Sequence, residues 1–403
     1  MSKVIVDKEL IEEFLTRGVD SIYPSVDSFR KKLYSGERLK IYQGFDPTGP
    51  YLHVGHAIGI RAMRILQKLG HEVIFLVGDF TAKVGDPDKD ITRTLLSDEE
   101  IEKNMAGWKE QASQLIDFKG ENPVLFKRNF TWLSKLKLDD LIKLMSQITV
   151  QRMLERDMFK RRIEENNPVR LHEFIYPLMQ GYDGVAMEVD MEIGGTDQTF
   201  NMLVGRDLSR AYLNKEKFVR TNKMMDAPDG RTMSKTKGNG INLSDTSEDM
   251  YGKAMSYPDS NIIMGLELLT NVPMKQIKEI GQEISRGENL MQSKKLMAYE
   301  IVKMIKGDEA AKKAEEYFQK TVQDKEIPKE IKLITVKNSN WSIIDLLVKI
   351  GFAFSKGEAR RLIEQKGIRI NSEIISDPKT EIIIGKEEIL VQRGKRQFLK
   401  IKK

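Results

Sequence analysis

Two histidines that flank a valine and a glycine form the stretch of this chain best suited to chemistry. His53-Val54-Gly55-His56 contains two of the four histidines in 403 residues. The segment Leu39–Tyr42 before it is predicted to form a strand, residues 44–50 are rich in turn formers, and a helix is predicted from near His56. The unpaired N–H groups at such a helix start favour anions, and two imidazoles there can donate to phosphate oxygens. A pair of polar turn residues is the alternative that this pattern leaves open.

A second strand-to-helix junction lies far along the chain. Residues 189–193 are predicted to form a strand, and Gly194-Gly195-Thr196-Asp197-Gln198 then opens a helix that ends near Leu213. Val73–Val77 is predicted to be the strand that completes a βαβ unit at the first junction. Two such junctions can flank one crevice at the switch point of a parallel sheet.

Composition narrows the class of protein. The chain has 40% hydrophobic and 31% charged residues, no cysteine and no apolar run of membrane-spanning length. Disulfides, thiolate metal sites and cysteine nucleophiles are therefore excluded. The first residues lack the apolar stretch of a signal peptide, and we expect a cytoplasmic protein.

The net positive charge is concentrated at the C-terminal end. Residues 341–403 contain 14 Lys/Arg and 8 Asp/Glu, an excess of six that equals the net charge of the whole chain. This asymmetry indicates a polyanionic partner such as nucleic acid, with a solvated lysine-rich tail as the alternative.

The hydrophobic patterns divide the chain into six segments. An α/β domain with a Rossmann-like, doubly wound parallel sheet is predicted in the middle of the N-terminal half, and an α-helical domain and a small α+β domain follow. The predicted bounds are 1–37 for a helical N-terminal segment, 38–225 for the α/β domain, 226–243 for an exposed glycine- and lysine-containing loop, 244–325 for the helical domain, 326–340 for a linker and 341–403 for the C-terminal domain.

Three stretches together resemble the class I aminoacyl-tRNA synthetases, and the bacterial-type tyrosyl members match best. They are Tyr42 to His56, Gly194 to Gln198, and Thr232-Met233-Ser234-Lys235-Thr236, which is similar to the KMSKS loop of that class. The resemblance covers nearly the whole chain. It implies that residues 244–325 bind the anticodon and that residues 341–403 form an RNA-binding domain like that of ribosomal protein S-four.

The resemblance implies a two-step reaction and assigns catalytic residues. Tyrosine's carboxylate would attack the α-phosphate of ATP and release pyrophosphate, and the 3′-terminal adenosine of tRNA(Tyr) would then take the tyrosyl group. A carboxylate nucleophile needs no general base. Acceleration of the first step must therefore come from positioning of the substrates and from stabilisation of charge on the phosphates. The matching catalytic positions are Thr48, His53, His56, Ser234, Lys235 and Thr236, while Mg²⁺ would accompany ATP with no protein ligand assigned.

Substrate-binding positions follow from the same resemblance. Tyr42 and Asp183 would bind the phenolic hydroxyl. Phenylalanine has no such hydroxyl and would leave both buried groups without a hydrogen-bond partner, which disfavours it as a substrate. The remaining tyrosine-binding positions are Asp86, Tyr176, Gln180 and Gln198. The ATP-binding positions are Gly44, Asp46, Thr48, His53, Gly55, His56, Gly195, Asp197, Met233 and Lys235. Tyr176, Gln180 and Asp183 fall at i, i+4 and i+7, which places them on one helix face.

The C-terminal domain supplies the candidates for tRNA contact. They are Lys356, Arg360, Arg361, Arg369, Arg393, Lys395 and Arg396, whose charge would neutralise phosphates. The resemblance also implies a homodimer.

Two positions depart from the family pattern. Thr232 stands where the loop usually has its first lysine, so Arg231 or Lys237 would have to supply that cation. Gln43 occupies a variable ribose-facing position and receives no role.

Two rival interpretations follow from these residues. A tryptophan-specific synthetase is one, and Tyr42 with Asp183 argues against it. A non-catalytic RNA-binding protein on a synthetase-like scaffold is the other, and the two histidines with Lys235 argue against that.

Overall fold

The chain forms two compact units in the computed structural model. The described residues are 3–86, 96–230, 233, 240–323, 331–336, 338–385, 387–394 and 397–403. The first unit comprises Met1–Asp245 and Ser256–Lys306, and the second comprises Thr246–Met255 and Gly307–Lys403. This division splits the predicted helical domain 244–325 between the units.

The helices and strands of the described chain follow one another in this order. Up to residue 222 they are α1 Lys8–Thr16, β1 Val19–Tyr23, α2 Val26–Tyr34, β2 Lys40–Phe45, α3 Val54–Lys68, β3 Glu72–Val77, α4 Thr81–Val84, α5 Asp98–Met105, α6 Trp108–Ala112, β4 Leu125–Arg128, α7 Phe130–Leu133, α8 Leu138–Met145, α9 Val150–Met153, α10 Asp157–Glu164, a 3-10 turn Leu171–Phe174, α11 Ile175–Met187, β5 Met191–Gly195, a 3-10 turn Thr196–Gln198, α12 Thr199–Leu213 and β6 Phe218–Asn222. Beyond it they are α13 Ser247–Ala254, a 3-10 turn Asp259–Asn261, α14 Ile262–Leu269, α15 Met274–Ser285, α16 Leu290–Lys306, α17 Asp308–Phe318, a π turn Gln319–Gln323, β7 Leu333–Thr335, β8 Asn340–Ser342, α18 Ile343–Lys349, α19 Lys356–Glu364, β9 Ile368–Ile370, β10 Glu373–Ile375, β11 Glu381–Ile383, β12 Ile389–Arg393 and β13 Gln397–Lys402.

A six-stranded sheet organises the first unit. Its strand order is β1-β6-β5-β2-β3-β4, with β6, β5, β2, β3 and β4 parallel and β1 antiparallel to β6. The connection from β2 through α3 leads to β3 on one side, and that from β5 through α12 leads to β6 on the other. The order therefore reverses between β2 and β5, and their carboxyl ends border one crevice. The predicted α/β class and doubly wound sheet are confirmed.

Close helix packing beside β5 depends on two glycines. A Cβ built on Gly181 of α11 would lie 2.9 Å from the Cα of Gly205 in α12. Because neither residue carries a side chain, the two helix backbones can approach one another. This contact fixes the helix that carries Tyr176, Gln180 and Asp183.

Two strands lie where the patterns predicted none. The segment 1–37, predicted to be helical, contains β1, which pairs with β6 about 200 residues away. The predicted linker contains β7, which pairs in parallel with β13. Both are short strands at the edge of a sheet. Their few residues show too little periodicity to predict a strand, because they are stabilised by partners far away in the sequence.

The second unit combines helices with two small sheets. One sheet has the order β10-β9-β12-β13-β7 and the other pairs β11 with β8. Its core includes Ile343, Leu346, Ile363, Val391 and Ile401, which come from α18, α19 and the larger sheet or the segments next to them. The small α+β class predicted for 341–403 agrees with these elements. Among the described helices of both units, none is long and apolar enough to cross a bilayer.

Candidate active site

The two histidines open α3 and contact each other. His53 is the N-cap residue of α3, and its backbone N–H donates to Nδ1 of His56 at 3.0 Å. Their ring centroids lie 3.8 Å apart. A neutral imidazole that accepts at Nδ1 carries its proton at Nε2, so His56 presents an N–H donor there. A Cβ on Gly55 would lie 2.9 Å from Nδ1 of His53, which explains why a glycine separates the two rings.

The end of the glycine- and lysine-containing loop is attached to this helix start. Val54 N–H donates to Ile241 O at 2.9 Å, and Leu243 N–H donates to Leu52 O at 2.8 Å. Met233 is buried, and its Cε would lie 3.7 Å from a Cβ built on Gly55. The structure thus brings the loop residue Met233 to the histidine motif. The predicted Ser234, Lys235 and Thr236, with Arg231, Thr232 and Lys237, lie outside the described residues.

Asp46 and Tyr176 meet at the carboxyl end of β2. The hydroxyl of Tyr176 donates to Oδ2 of Asp46 at 2.8 Å, and that of Thr81 donates to Oδ1 at 2.8 Å. A Cβ on Gly78 would lie 2.0 Å from Asp46 Oδ1, so a side chain there would displace the carboxylate. Asp46, predicted on the ATP side, is therefore joined to Tyr176, predicted on the tyrosine side.

Tyr42 and Asp183 are both buried and lie close enough for the carboxyl group to act on the phenol. The Tyr42 hydroxyl lies 3.4 Å from Gln180 O, and burial raises its pKa well above the usual range, with Glu192 and Asp183 adding to the rise. Burial likewise raises the pKa of the Asp183 carboxyl well above its usual range, against the opposing effect of N–H donors from Asn129 and Trp132.

Asn129 and Trp132 hold the Asp183 carboxylate from two sides. Asn129 Nδ2 donates to one oxygen at 3.1 Å, and Trp132 Nε1 donates to the other at 2.8 Å. Asn129 Nδ2 also donates to Thr81 Oγ1 at 3.0 Å. A carboxylate fixed in this way can accept a further hydrogen bond from a phenol without moving.

A chain of hydrogen bonds links the predicted ammonium-binding residues. Gln198 Nε2 donates to Asp86 Oδ2 at 2.7 Å, and Asn201 Nδ2 donates to the side-chain oxygens of Gln198 and Gln180, each at 3.0 Å. Arg156 forms a buried ion pair with Asp86 at 2.8 Å. Sequence reasoning assigned Asp86, Gln180 and Gln198 to one pocket, and the structure joins them through Asn201.

A buried ion pair lies beneath the pocket. Glu192 Oε1 accepts from Gln180 Nε2 at 3.0 Å, and its other oxygen accepts from Lys217, whose Nζ lies 5.8 Å from the centroid of the Tyr42 ring. Sequence reasoning missed this pair. The available signal was Glu192 itself, a charged residue in the middle of an otherwise apolar strand.

Four of the residues predicted for ATP, Gly44, Thr48, Gly195 and Asp197, lie in or just after the carboxyl ends of β2 and β5. Gly44 is exposed, and a Cβ on it would meet nothing closer than Leu76 at 3.9 Å. A Cβ on Gly195 would lie 2.3 Å from Asp197 Oδ1, so this glycine makes room for the carboxylate. Asp197 accepts from Gln198 Nε2 at 3.0 Å, and Thr48 N–H donates to Asp46 O at 2.8 Å. No cluster of three metal-ligating side chains occurs within the described ranges.

The candidates for tRNA contact differ in how exposed they are. Arg360 and Arg361 are exposed on α19, and Arg369 is exposed on β9, where it donates to Ser372 O at 3.2 Å. Lys356 is exposed and pairs with Asp345 at 2.7 Å.

Arg393 is half-buried and is hydrogen-bonded within the second unit. It donates to Phe352 O at 2.5 Å and to Glu358 Oε1 at 3.1 Å. Lys395 and Arg396 lie outside the described residues. The structure therefore favours α19 and β9 over Arg393 as a phosphate-contacting surface.

Comparison with known proteins identifies the family of this chain. Residues 34–323 match the family model described as tRNA synthetases class I (W and Y), and residues 323–401 match the SYY-like C-terminal domain of tyrosine-tRNA ligases. The chain belongs to the class I tRNA synthetase family that comprises the tryptophan and tyrosine enzymes.

Curated relatives place it in the bacterial tyrosyl branch of that family. It is 41% identical to the tyrosine-tRNA ligase of Moorella thermoacetica over 393 residues, covering 96% of this chain and 94% of the relative. It is 40% identical to that of Coxiella burnetii over 403 residues, covering 99% and 100%. The predicted family and enzyme class are confirmed, and neither the tryptophan-specific nor the non-catalytic interpretation is supported.

Solved structures confirm the fold. A C-terminally truncated mitochondrial tyrosyl-tRNA synthetase of Aspergillus nidulans superposes with a TM-score of 0.67 at 23% identity, covering 78% of this chain and 94% of that one. A tyrosyl-tRNA synthetase of Archaeoglobus fulgidus, solved with L-tyrosine, gives 0.59 at 21% identity, covering 76% and 99%.

Proposed function

We propose that this chain joins tyrosine to tRNA(Tyr) in two steps. Tyrosine's carboxylate attacks the α-phosphate of ATP, which forms tyrosyl-adenylate and releases pyrophosphate. A ribose hydroxyl of the 3′-terminal adenosine then attacks the acyl carbon and releases AMP. The observation that carries this proposal is the proximity of the buried Tyr42 and Asp183 to the carboxyl end of β2, where the ring centroid of His56 lies 5.8 Å from that of Phe45.

The first step depends on charge stabilisation at the phosphates. His56 Nε2–H, His53 and Thr48 are the proposed donors on the crevice side, and Lys235 with Ser234 and Thr236 is proposed to act on the leaving pyrophosphate. ATP enters as its Mg²⁺ complex, which supplies further positive charge as part of the substrate. Lys235, at the position of the motif's second lysine, therefore provides most of the loop's electrostatic effect, because Thr232 at the position of the first lysine has no charge.

Binding of tyrosine divides between the two ends of the pocket. Asp86, Tyr176 and Gln180 hold the α-ammonium group, and Gln198 lies near the carboxylate. At the other end Tyr42 and Asp183 bind the phenolic hydroxyl. Phenylalanine would leave these buried groups without a partner. Tyrosyl-tRNA synthetases are the known example of this effect, and they discriminate against phenylalanine by about 10⁵.

ATP–pyrophosphate exchange with tyrosine tests the proposal directly. The wild-type protein should exchange label only when tyrosine is present. Asp183→Asn should raise the KM for tyrosine and reduce discrimination against phenylalanine. No exchange with tyrosine, or equal exchange with phenylalanine in the wild type, would contradict the proposed reaction.

Loop variants test the role of Lys235. Lys235→Ala should lower the exchange rate by about 10²–10³, as removal of one transition-state donor does in other enzymes. Arg231→Ala and Lys237→Ala test the two candidates for the missing first cation of the loop, and each should lower the exchange rate less than Lys235→Ala does. Near-normal exchange by Lys235→Ala with loss of exchange by Arg231→Ala would move the role to Arg231.

We also propose a homodimer, as in the related enzymes that the sequence resembles. Support comes from an apolar surface around α8, where Leu138 is 71% and Ile142 57% exposed while Leu144 is buried against the unit. Val150 and Leu171 are also exposed nearby in sequence, at 65% and 82%. Leu138 and Ile142 lie one turn apart on the same helix face, and neighbouring exposed apolar side chains are a feature of protein contacts.

Light scattering tests the dimer. Ile142→Glu together with Leu138→Glu should give a monomer that keeps the wild-type circular dichroism spectrum. A monomeric wild type would contradict the proposal.

We propose the cytoplasm as the location of the protein, because aminoacylation supplies tyrosyl-tRNA for translation.

A further inference from the structure

Three arginines line one small cavity in the first unit. Arg17, Arg61 and Arg220 surround it with Gly18 and apolar side chains that include Leu268. None of these residues belongs to the proposed active site. The cavity has room for about one water-sized molecule.

Arg220 has two buried donors that face no acceptor. Its side chain lies on β6, is 3% exposed, and donates through Nη2 to Arg17 O at 2.9 Å. The guanidinium carbon lies 4.5 Å from the ring centroid of Phe14, which covers one face. Within the described part of the chain, Nε and Nη1 have no hydrogen-bond partner. Buried N–H groups of a charged side chain are costly when they stay unpaired.

Arg17 is hydrogen-bonded, but its charge is only partly balanced. Its nitrogens donate to four backbone carbonyls, those of Leu266, Glu267, Thr270 and Val272. Carbonyl dipoles at the end of α14 favour a cation but do not neutralise it. Burial lowers the pKa of Arg17 to about 10 and that of Arg220 to about 9, with Arg61 adding to both, so both side chains remain protonated near pH 7.

Few carboxylates balance the three cations. Glu13 contacts Arg61 and, at 3.7 Å, Arg17. The carboxylate of Glu267 forms an ion pair with Lys223 at 2.9 Å. Its negative charge favours the protonated form of Arg17 from a distance, without an ion pair between the two. Among the described residues no acidic side chain other than Glu13 forms an ion pair with the three arginines. The cavity therefore carries an excess of positive charge beside buried side chains, where an uncompensated charge is unfavourable.

We propose that this cavity binds a small monovalent anion of the size of chloride. Nε and Nη1 of Arg220 donate to the ion, and Arg17 and Arg61 supply balancing charge. An anion accepts both N–H groups and brings no hydrogens that need acceptors of their own, which distinguishes it from water. Phosphate and sulfate exceed the available room. Bound here, the ion connects α1, α3 and β6 and stabilises the folded first unit.

Bromide diffraction tests the site in the unaltered protein. Crystals equilibrated with bromide in place of chloride should show an anomalous peak in the cavity at hydrogen-bond distance from Arg220 Nε. A water-sized peak without anomalous signal, or an empty cavity, would overturn the proposal. This measurement does not depend on tyrosine activation, so its failure leaves the proposed function untouched.

Thermal unfolding measures whether the ion is bound in solution. Raising chloride from 1 to 100 mM at constant ionic strength, with gluconate as the replaced anion, should raise the Tm by about 2–4 °C. Arg220→Met should abolish this dependence, whereas Arg64→Met, on the same helix as Arg61, should retain it. If Arg220→Met does not fold, Arg61→Gln should reduce the response. If the wild-type protein has the same Tm at both chloride concentrations, any ion seen in the crystal is an adventitious ion only, and the proposal is overturned.

Discussion

Lys217 places its ammonium group against the carboxylate of Glu192, below the ring of Tyr42, and both side chains are buried. Two glycines make this possible. A Cβ on Gly205 would lie 2.4 Å from Lys217 Nζ, and one on Gly184 would lie 3.2 Å from it. Glu192 in turn accepts from Gln180, so the pair orients a residue that lines the proposed tyrosine pocket.

Breaking this ion pair should destabilise the protein strongly. Lys217→Met leaves the Glu192 carboxylate buried and unpaired, and we expect the free energy of unfolding to fall by about 3–5 kcal/mol. Urea denaturation measures the loss.

Two further variants complete that test. Lys215→Met, which removes a partly exposed pair with Asp190, should cost less than about 1 kcal/mol. The double variant Lys217→Met with Glu192→Gln should be less destabilised than the sum of its parts. Additive losses would show that the pair does not act as a unit.

Glycine at position 205 should be required for helix contact. Gly205→Ala places a methyl group 2.4 Å from Lys217 Nζ and 3.0 Å from Gly181 Cα, and overpacking of this kind costs about 1–3 kcal/mol. Gly281→Ala in α15 is the matched control, because its Cβ would meet only Ile263 at 3.6 Å. That helix variant should gain up to about 1 kcal/mol. Thermal unfolding of both variants distinguishes local clash from a general effect of alanine.

His71 should make the protein sensitive to acid. Burial lowers the pKa of His71 from 6.5 to about 4, and its Nδ1 accepts from Leu39 N at 3.2 Å. The folded state therefore prefers the neutral ring. Its contribution is complete above pH 6.5 and is lost as the pH falls through about 4, a total of about 3 kcal/mol.

Unfolding free energies at about pH 7.5, 5.5 and 4.5 check this prediction, since these values span the window between the two pKa values. His71→Gln can keep an acceptor for Leu39 and should show a flatter decline across that window than the wild type. His172→Gln, outside the buried sheet, should follow the wild type. Parallel curves for wild type and His71→Gln would contradict the assignment.

Arg360 and Arg361 should contribute salt-dependent affinity for tRNA. Each replaced phosphate contact should lower the slope of log K against log salt by about one. Filter binding of the double alanine variant should show weaker binding and a shallower slope, while Lys31→Ala on α2 should match the wild type. Unchanged binding would place the tRNA surface elsewhere.

Local patterns were sufficient to predict the elements that carry the site. The short β-branched and aromatic segment at β2, the apolar run of β3 and the strand pattern of β5, with the glycines that follow β2 and end β5, predicted the sheet and both junctions. The helical spacing of Tyr176, Gln180 and Asp183 likewise predicted one face of α11. Short strands β1 and β7 escaped prediction, since their stability comes from partners far away in the chain.

Residue types and spacing by themselves determined the α/β class and the motifs that carry the family resemblance, because those features depend on local periodicity and short sequences. The proposed substrate-binding residues came from that resemblance. Only the tertiary structure decided that Asn129 and Trp132 hold Asp183, that Asn201 joins Gln180 to Gln198, and that Lys217 reaches Glu192. It also assembled Arg17, Arg61 and Arg220 around one cavity. Burial and pairing of polar groups are properties of residues distant in sequence, so they arise only when the chain has folded.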